Sequence, residues 1–134
     1  MAGWVRVLVV DDQPRARQSL KALLATWPLV KAVGEATNGK QTLALVEESP
    51  PDVVLMDIRM PEMDGLAATQ RIKARWPQVK IIILSAYTED MAEAQAAGAD
   101  AFVCRCEPPE KLLQALEKVV REQQPKTPLG PQAQ

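Results

Sequence analysis

The chain has 134 residues, of which 47% are hydrophobic and 25% are charged, and its formal net charge is −1. This length and balance fit one globular domain that buries a core without disulfide staples. The near-zero charge argues against a nucleic-acid site in this chain, no apolar run reaches the length of a membrane span, and the absence of histidine excludes a histidine phosphotransfer protein.

Five apolar segments alternate along the chain with five segments of helical periodicity. Stretches such as Ile81–Leu84 are apolar at every position, which is typical of parallel strands covered on both faces. The predicted strands are Trp4–Val10, Val30–Ala36, Asp52–Met56, Val79–Leu84 and Ala101–Cys104. The predicted helices are Pro14–Trp27, Lys40–Glu48, Asp64–Trp76, Glu89–Ala97 and Pro109–Arg121.

This alternation predicts an α/β fold of the (βα)₅ type, with a doubly wound, parallel five-stranded sheet in the flavodoxin-like order 2-1-3-4-5. Val30–Ala36 contains Lys31 and Glu35 and is predicted to be an edge strand. We expect residues 1–122 to form the domain. The polar, proline-rich residues 123–134 are predicted to be a flexible tail or the start of a linker.

Acidic and hydroxyl side chains follow three of the predicted strands. Asp11 and Asp12 end the first strand, Asp57 ends the third, and Ser85 ends the fourth. The carboxyl ends of neighbouring parallel strands share one crevice, so we expect the three carboxylates to meet there. Such a cluster is costly without a cation, and oxygen ligands suit Mg²⁺. The alternative is that these acids only start helices, with Asp12 capping the helix that opens at Pro14.

The segment after Asp57, Met60-Pro61-Glu62-Met63-Asp64-Gly65, predicts a stiff turn. Pro61 fixes its own φ angle, and Gly65 is free to adopt unusual backbone angles. Such a turn can direct the backbone carbonyl of Arg59 toward the metal. An ordinary strand-to-helix loop with capping residues is the competing interpretation.

Four motifs together resemble the response-regulator receiver domain of two-component signalling, over roughly Val5 to Arg121. They are Val9-Val10-Asp11-Asp12, the stretch from Asp57 to Gly65, Ser85-Ala86, and Gly98-Ala99-Asp100-Ala101-Phe102. The pattern of Ala101–Leu116 is most similar to receivers that precede a C-terminal helix-turn-helix output domain.

The resemblance implies roles for individual residues. Asp57 is expected to be the phosphoacceptor. Asp12 and Asp57 are expected to bind Mg²⁺ directly together with the carbonyl of Arg59, while Asp11 acts largely through water. Ser85 is expected to bind the phosphoryl oxygen in the active state, and Phe102 takes the place of the switch aromatic.

The resemblance also implies partners. The phosphoryl donor is expected to be a phosphohistidine on a sensor histidine kinase or phosphotransfer protein. The chain is then a switch that promotes only its own phosphorylation and dephosphorylation. It is expected to control an output partner or domain. A homodimer is an open alternative to a monomer, and its candidate faces are the first and fifth helices, or the fourth helix with the fifth strand and helix. An N-terminus without signal-peptide layout and two closely spaced cysteines favour a reducing cytoplasm.

Arg105 departs from the family pattern, which has a lysine at this position. Arginine keeps the charge but is not interchangeable with lysine; it either pairs with the phosphoryl group or Asp57, or points to solvent. This departure motivates the alternative of an interaction module that works without phosphorylation.

A Mg²⁺-dependent phosphohydrolase and a flavin carrier are disfavoured, since no cap or phosphate-cradling loop is present. Cys104 is expected to be a small core residue and Cys106 to be exposed without a partner.

Overall fold

The computed structural model describes residues 4–123, which alternate between strands and helices. The strands are β1 Val5–Val10, β2 Val30–Ala36, β3 Val53–Asp57, β4 Lys80–Ser85 and β5 Ala101–Cys104. The helices are α1 Pro14–Leu24, α2 Gly39–Glu48, α3 Gly65–Arg75, α4 Met91–Ala97 and α5 Pro109–Gln123, with a 3₁₀ turn over Thr88–Asp90 before α4.

All strand pairs are parallel, and the sheet has the order β2-β1-β3-β4-β5. This order confirms the predicted fold, including the edge position of β2. The pairing of β1 with β2 shifts register between Val7 and Leu8, which face Ala32 and Gly34. At the centre, Val7 to Val10 run beside Val53 to Met56. The carboxyl ends of β1 and β3 are therefore neighbours.

Two apolar cores lie on opposite faces of the sheet, because side chains alternate along each strand. Helices α1 and α5 cover one face, where Leu20 and Leu116 pack on Val9 and its neighbours. Helices α2, α3 and α4 cover the other face, where Ile72 packs with Val10 and its neighbours. Burying one such side chain stabilises a fold by about 1.5–3 kcal/mol, so the two cores stabilise the sheet that carries the loops.

The helix ends differ from the sequence prediction where local hydrogen bonds intervene. Helix α1 ends at Leu24 rather than Trp27, because the Thr26 hydroxyl and amide both donate to the Leu23 carbonyl and Pro28 follows. The sequence predicts a fourth helix from Glu89, but α4 starts at Met91 after the 3₁₀ turn. It ends at Ala97, and the C-cap residue Gly98 has a φ of 102°, the left-handed conformation that glycine adopts most readily.

The other elements agree with the prediction to within one or two residues. The predicted tail lies outside the described residues except for Gln123, which is the last residue of α5. Between residues 4 and 123, no helix combines the length and apolar character needed to cross a membrane.

Candidate functional site

Three carboxylates meet at the carboxyl edge of the sheet. Asp11 and Asp12 directly follow β1, and Asp57 is the last residue of β3. Each of the three offers an oxygen, and these oxygens all lie within 4.8 Å of one another. Asp11 is buried at 2% exposure, whereas Asp12 and Asp57 are half-buried. The topology places them together because β1 and β3 are adjacent although they are separated by β2 in sequence.

The environment of Asp57 opposes its ionisation. Burial raises the pKa of its carboxyl group above the ordinary value, and the negative charges of Asp11 and Asp12 add to this rise. The cation of Arg105 and the backbone amide of Ile58 act in the opposite direction, but the net shift is upward. Burial and the neighbouring carboxylates together therefore outweigh Arg105 and the Ile58 amide in their effect on the pKa of Asp57.

Asp11 is fixed by four interactions, the first of which is a hydrogen bond from its backbone amide to the Ala36 carbonyl at 3.0 Å. Its Oδ1 accepts a hydrogen bond from the Gln13 amide at 2.9 Å, and its backbone carbonyl accepts one from Arg17 at 2.7 Å. Its Oδ2 pairs with the guanidinium Nη2 of Arg105 at 2.5 Å. The N-cap of α1 is Gln13, without a side-chain cap. The alternative in which Asp12 caps this helix is therefore wrong.

Arg105 approaches the acidic crevice from the end of β5. Its side chain is 31% exposed, and its guanidinium forms an ion pair with Asp11. The alternative in which Arg105 points to solvent is therefore wrong. Arg105, at the position where the family pattern has lysine, therefore places its positive charge on the carboxylate cluster. Its ion pair is with Asp11 and not with Asp57, the carboxylate considered in the sequence analysis.

The turn after β3 is held by backbone contacts. The Gly65 amide donates to the Ile58 carbonyl at 2.8 Å, and the Asp64 side chain caps α3 by accepting from the Ala67 amide. The sequence predicts unusual backbone angles at Gly65, but its φ is not in the left-handed region; among the described non-glycine residues Glu62 has such an angle, at 67°. Gly65 is required instead because a β-carbon there would overlap the Asp57 carbonyl oxygen.

Ser85 lies at the end of β4 and is 1% exposed. Its hydroxyl donates to Oδ2 of Asp90 at 2.5 Å. Asp90, 5% exposed, also accepts two hydrogen bonds from the guanidinium of Arg59, at 2.7 and 3.2 Å. These hydrogen bonds, first from Arg59 and then from Ser85, lower the pKa of the Asp90 carboxyl group. The hydrogen that the Ser85 hydroxyl can donate is thus taken up by Asp90.

Sequence reasoning missed Asp90 and the side chain of Arg59. Arg59 also lies over the ring of Tyr87, with its guanidinium carbon 5.0 Å from the ring centroid. The available signal was an acidic residue at the start of the fourth helix, five positions after Ser85, in Tyr87-Thr88-Glu89-Asp90. Nothing in that spacing indicates that the carboxylate turns back to the strand end.

The remaining predicted residues lie on β5 or directly after it. Phe102 is half-buried and packs against the core that α2, α3 and α4 cover. Cys104 is buried and Cys106 exposed, as predicted. The expectation that Cys106 has no partner is wrong, because the two cysteines form a disulfide. The direction of the Arg59 carbonyl and the switching role of Phe102 stay predictions.

The cluster of Asp11, Asp12 and Asp57 fits a divalent cation. Its donors are all carboxylate oxygens, the ligand type that Mg²⁺ prefers. Burial raises the pKa of the Asp57 carboxyl group, and the negative charges of Asp11 and Asp12 raise it further. A second cation is therefore electrostatically favoured at this place.

Comparison with known proteins gives a consistent result. The family described as "Response regulator receiver domain" matches residues 7–117. The response regulator protein VraR of Staphylococcus aureus is 34% identical over 119 residues, which cover 87% of this chain and 57% of that relative. The chain thus spans little more than half the length of this relative.

Solved structures show the same similarity. A two-component response regulator of the LuxR family from Aurantimonas sp. SI85-9A1 matches with a TM-score of 0.85 and 29% identity, covering 90% of this chain and 87% of that one. A DNA-binding response regulator of the LuxR family from Staphylococcus aureus matches with a TM-score of 0.80 and 27% identity, covering 86% and 98%.

Proposed function

This chain belongs to the response regulator receiver family, and on that premise we propose that Asp57 accepts a phosphoryl group from a phosphohistidine on a sensor histidine kinase or phosphotransfer protein. The observation that carries the proposal is the convergence of Asp11, Asp12 and Asp57 at one edge of the sheet. Asp57 ends a central strand and is half-buried, so a carboxylate oxygen is both accessible and rigidly supported.

The transfer requires little covalent machinery. A carboxylate oxygen of Asp57 attacks phosphorus, the phosphorus–nitrogen bond breaks, and its electron pair goes to the imidazole of the donor. The donor histidine belongs to the partner, because this chain contains none. Phosphoryl transfer depends mainly on positioning and charge stabilisation, which the fixed edge of the sheet supplies.

We assign Mg²⁺ to the acidic cluster, with Asp12, Asp57 and the carbonyl of Arg59 as direct ligands and Asp11 acting largely through water. When bound, Mg²⁺ offsets the negative charges of the carboxylates and of the incoming phosphoryl group. The guanidinium of Arg105 is then the other positive charge at the cluster, beside Mg²⁺. Its pairing with Asp11 means that metal binding and the position of this guanidinium are coupled.

Ser85 acts as the residue that detects phosphorylation. Its hydroxyl has a single hydrogen to donate, and this hydrogen bond goes to Asp90. Donating to a phosphoryl oxygen on Asp57 therefore requires release of Asp90, which also carries the Arg59 pair. The start of α4 and Phe102 would follow this exchange. Moving such an equilibrium from 1:99 to 99:1 needs about 5.5 kcal/mol of differential stabilisation, and charge-assisted hydrogen bonds to phosphate supply part of it.

The output of the switch is proposed from the relatives. Two of the similar proteins are described as LuxR-family regulators, one of them as DNA-binding. We therefore assign to this receiver the control of an output partner or domain that regulates transcription, in the cytoplasm and with a homodimer as one form. It acts as a phosphoacceptor switch and not as an enzyme that turns over a separate substrate.

The test is phosphorylation of the purified chain by a small acyl phosphate with Mg²⁺, followed by intact mass spectrometry. We expect the mass gain of one phosphoryl group, its loss in Asp57→Ala, and its retention in Glu48→Gln, a control that removes an exposed carboxylate on α2. No gain at any metal concentration would overturn the proposal in favour of a module that works without phosphorylation.

A further inference from the structure

The disulfide between Cys104 and Cys106 closes a very short loop at the end of β5. The two α-carbons are 5.1 Å apart, within the range of about 4.4–6.8 Å that disulfides span. Only one residue separates the cysteines, and the entropic stabilisation by a disulfide grows with the length of the loop that it closes. This bond is therefore poorly suited to stabilise the fold as a whole, and its effect is local.

The residue inside the loop is Arg105. Its backbone amide donates to the Ser85 carbonyl at 2.7 Å. The Cys106 amide donates to the sulfur of Cys104 at 3.2 Å, and the Glu107 amide donates to the Cys104 carbonyl at 3.0 Å. The backbone on both sides of Arg105 is thus fixed in a tight turn, from which its guanidinium reaches Asp11.

The two sulfurs differ in accessibility. Cys104 is 3% exposed, whereas Cys106 lies on the surface. An exposed sulfur can be attacked by a thiolate from solution, and a buried neighbour can resolve the product. Exposed disulfides are also the labile ones among protein disulfides. This pairing is the arrangement that reversible exchange requires.

We propose that Cys104 and Cys106 form a reversible dithiol–disulfide site that takes low-molecular-weight disulfides as its oxidant, and that the closed disulfide holds Arg105 on Asp11 and thereby weakens Mg²⁺ binding. The first half is independent of the proposed function. The second half rests on it, because it concerns the same acidic cluster.

The exchange is balanced in atoms and electrons. The Cys106 thiolate attacks one sulfur of the small disulfide, whose sulfur–sulfur bond breaks and releases a first thiolate. The Cys104 thiolate then attacks the Cys106 sulfur, closes the protein disulfide and releases a second thiolate. Two cysteine thiols are oxidised, one small disulfide is reduced to two thiols, and the two protons lost by the cysteines pass through solvent to the released thiolates.

The consequence for the acidic cluster follows from competition. Arg105 and a divalent cation both neutralise Asp11, so fixing the guanidinium there disfavours the metal. Opening the disulfide removes one of the constraints on this turn and lets the Arg105 guanidinium move away from Asp11. Coupling between two sites is reciprocal. If reduction of the disulfide increases the affinity for Mg²⁺ by some factor, Mg²⁺ binding must shift the dithiol–disulfide equilibrium toward the dithiol by the same factor. We expect a factor of about five or more, the lower end for coupled sites.

The first experiment measures the redox state of the full chain. The protein is equilibrated with mixtures of glutathione and glutathione disulfide, quenched with an alkylating reagent and weighed by mass spectrometry. Two alkyl groups are expected at reducing poise and none at oxidising poise. Cys106→Ser is the control of choice because position 106 is exposed, and it should keep one alkylatable thiol or form a mixed disulfide. Two alkylatable cysteines at every poise would overturn the site.

The second experiment measures Mg²⁺ affinity by calorimetry, without phosphorylation. Oxidised protein should bind about fivefold or more weakly than reduced protein, and Cys106→Ser should match the reduced form. In Arg105→Ala the difference between redox states should vanish. Equal affinities of oxidised and reduced wild type would overturn the coupling. A failure of the proposed function would be recognised separately, as a lack of Asp57 phosphorylation in the reduced wild type. That result would not affect the alkylation experiment, which tests the redox site alone.

Discussion

Replacing Asp57 with asparagine should stabilise the metal-free protein. The substitution keeps the shape of the side chain and removes one of three converging negative charges. Burial and the neighbouring carboxylates raise the pKa of Asp57, so its ionised form is disfavoured in the folded state. The neutral amide therefore relieves repulsion that the unfolded chain does not have.

The magnitude follows from the geometry. At 4.8 Å, the upper limit of the separations between the three carboxylate oxygens, two unit charges repel by about 0.9 kcal/mol at the dielectric of water and by about 3.5 kcal/mol at an effective dielectric of about 20. Asp57 is half-buried and still reached by solvent, so screening keeps the repulsion well below the higher value. With the pairs to Asp11 and Asp12, less the attraction lost toward Arg105, we expect about 1–2 kcal/mol. For a chain of this size that corresponds to a Tm increase of about 3–8 °C.

The pH dependence has a defined sign. Because the folded pKa of Asp57 exceeds the unfolded one, the folded wild type binds more protons in the window between them, and its stability falls as pH rises through that window. The asparagine side chain of the variant does not titrate. The Tm difference should therefore be small below about pH 4, where unfolded aspartate is protonated, and should reach its full size near neutral pH.

Thermal unfolding followed by circular dichroism, in chelator and then in Mg²⁺, tests this reasoning. Mg²⁺ should raise the Tm of the wild type much more than that of Asp57→Asn, because a ligand that binds the folded state stabilises it. Glu48→Gln should change stability by no more than about 0.5 kcal/mol, as surface substitutions usually do. A metal-free Asp57→Asn protein that is no more stable than wild type at neutral pH would refute the electrostatic argument.

Two further substitutions test the supports of the site. Asp90→Asn should loosen the hold on the Ser85 hydroxyl and increase the phosphorylated fraction reached with a small acyl phosphate; an unchanged fraction in intact mass spectra would contradict the exchange. Gly65→Ala should cost about 1–3 kcal/mol in urea unfolding, the usual effect of overpacking, because the new methyl group overlaps the Asp57 carbonyl. Gly34→Ala, which meets only the flexible end of Leu8, should cost less.

The predictions from sequence succeeded for features that hydrophobic periodicity and the order of the strands in the sheet determine. Fully apolar runs such as Ile81–Leu84 identified central strands because both faces of a parallel sheet are covered. Strand-end acids located the crevice because the order of the sheet makes β1 and β3 neighbours. Helix ends were predicted less well, since the hydroxyl of Thr26 and the 3₁₀ turn before Met91 depend on contacts with few sequence signals.

The side-chain network around the site could not be predicted, because each contact joins residues from different loops. Asp90 reaches Ser85 and Arg59 only once the turn before α4 lies beside the end of β4. Arg105 meets Asp11 across 94 positions of sequence. Such pairs depend on distances of a few ångströms between separately folded segments, and single-sequence periodicity carries no information about them.

The sequence by itself determined the alternation of strands and helices, the identity of the three carboxylates and the edge of the sheet at which they gather, because these follow from periodicity and strand order. Only the tertiary structure decided which partner each polar group takes: Asp11 for Arg105, Asp90 for Ser85, and Cys104 for Cys106. The physical reason is that apolar burial is non-directional and can be inferred from composition along the chain, whereas hydrogen bonds, ion pairs and disulfides require particular atoms to meet at bonding distance.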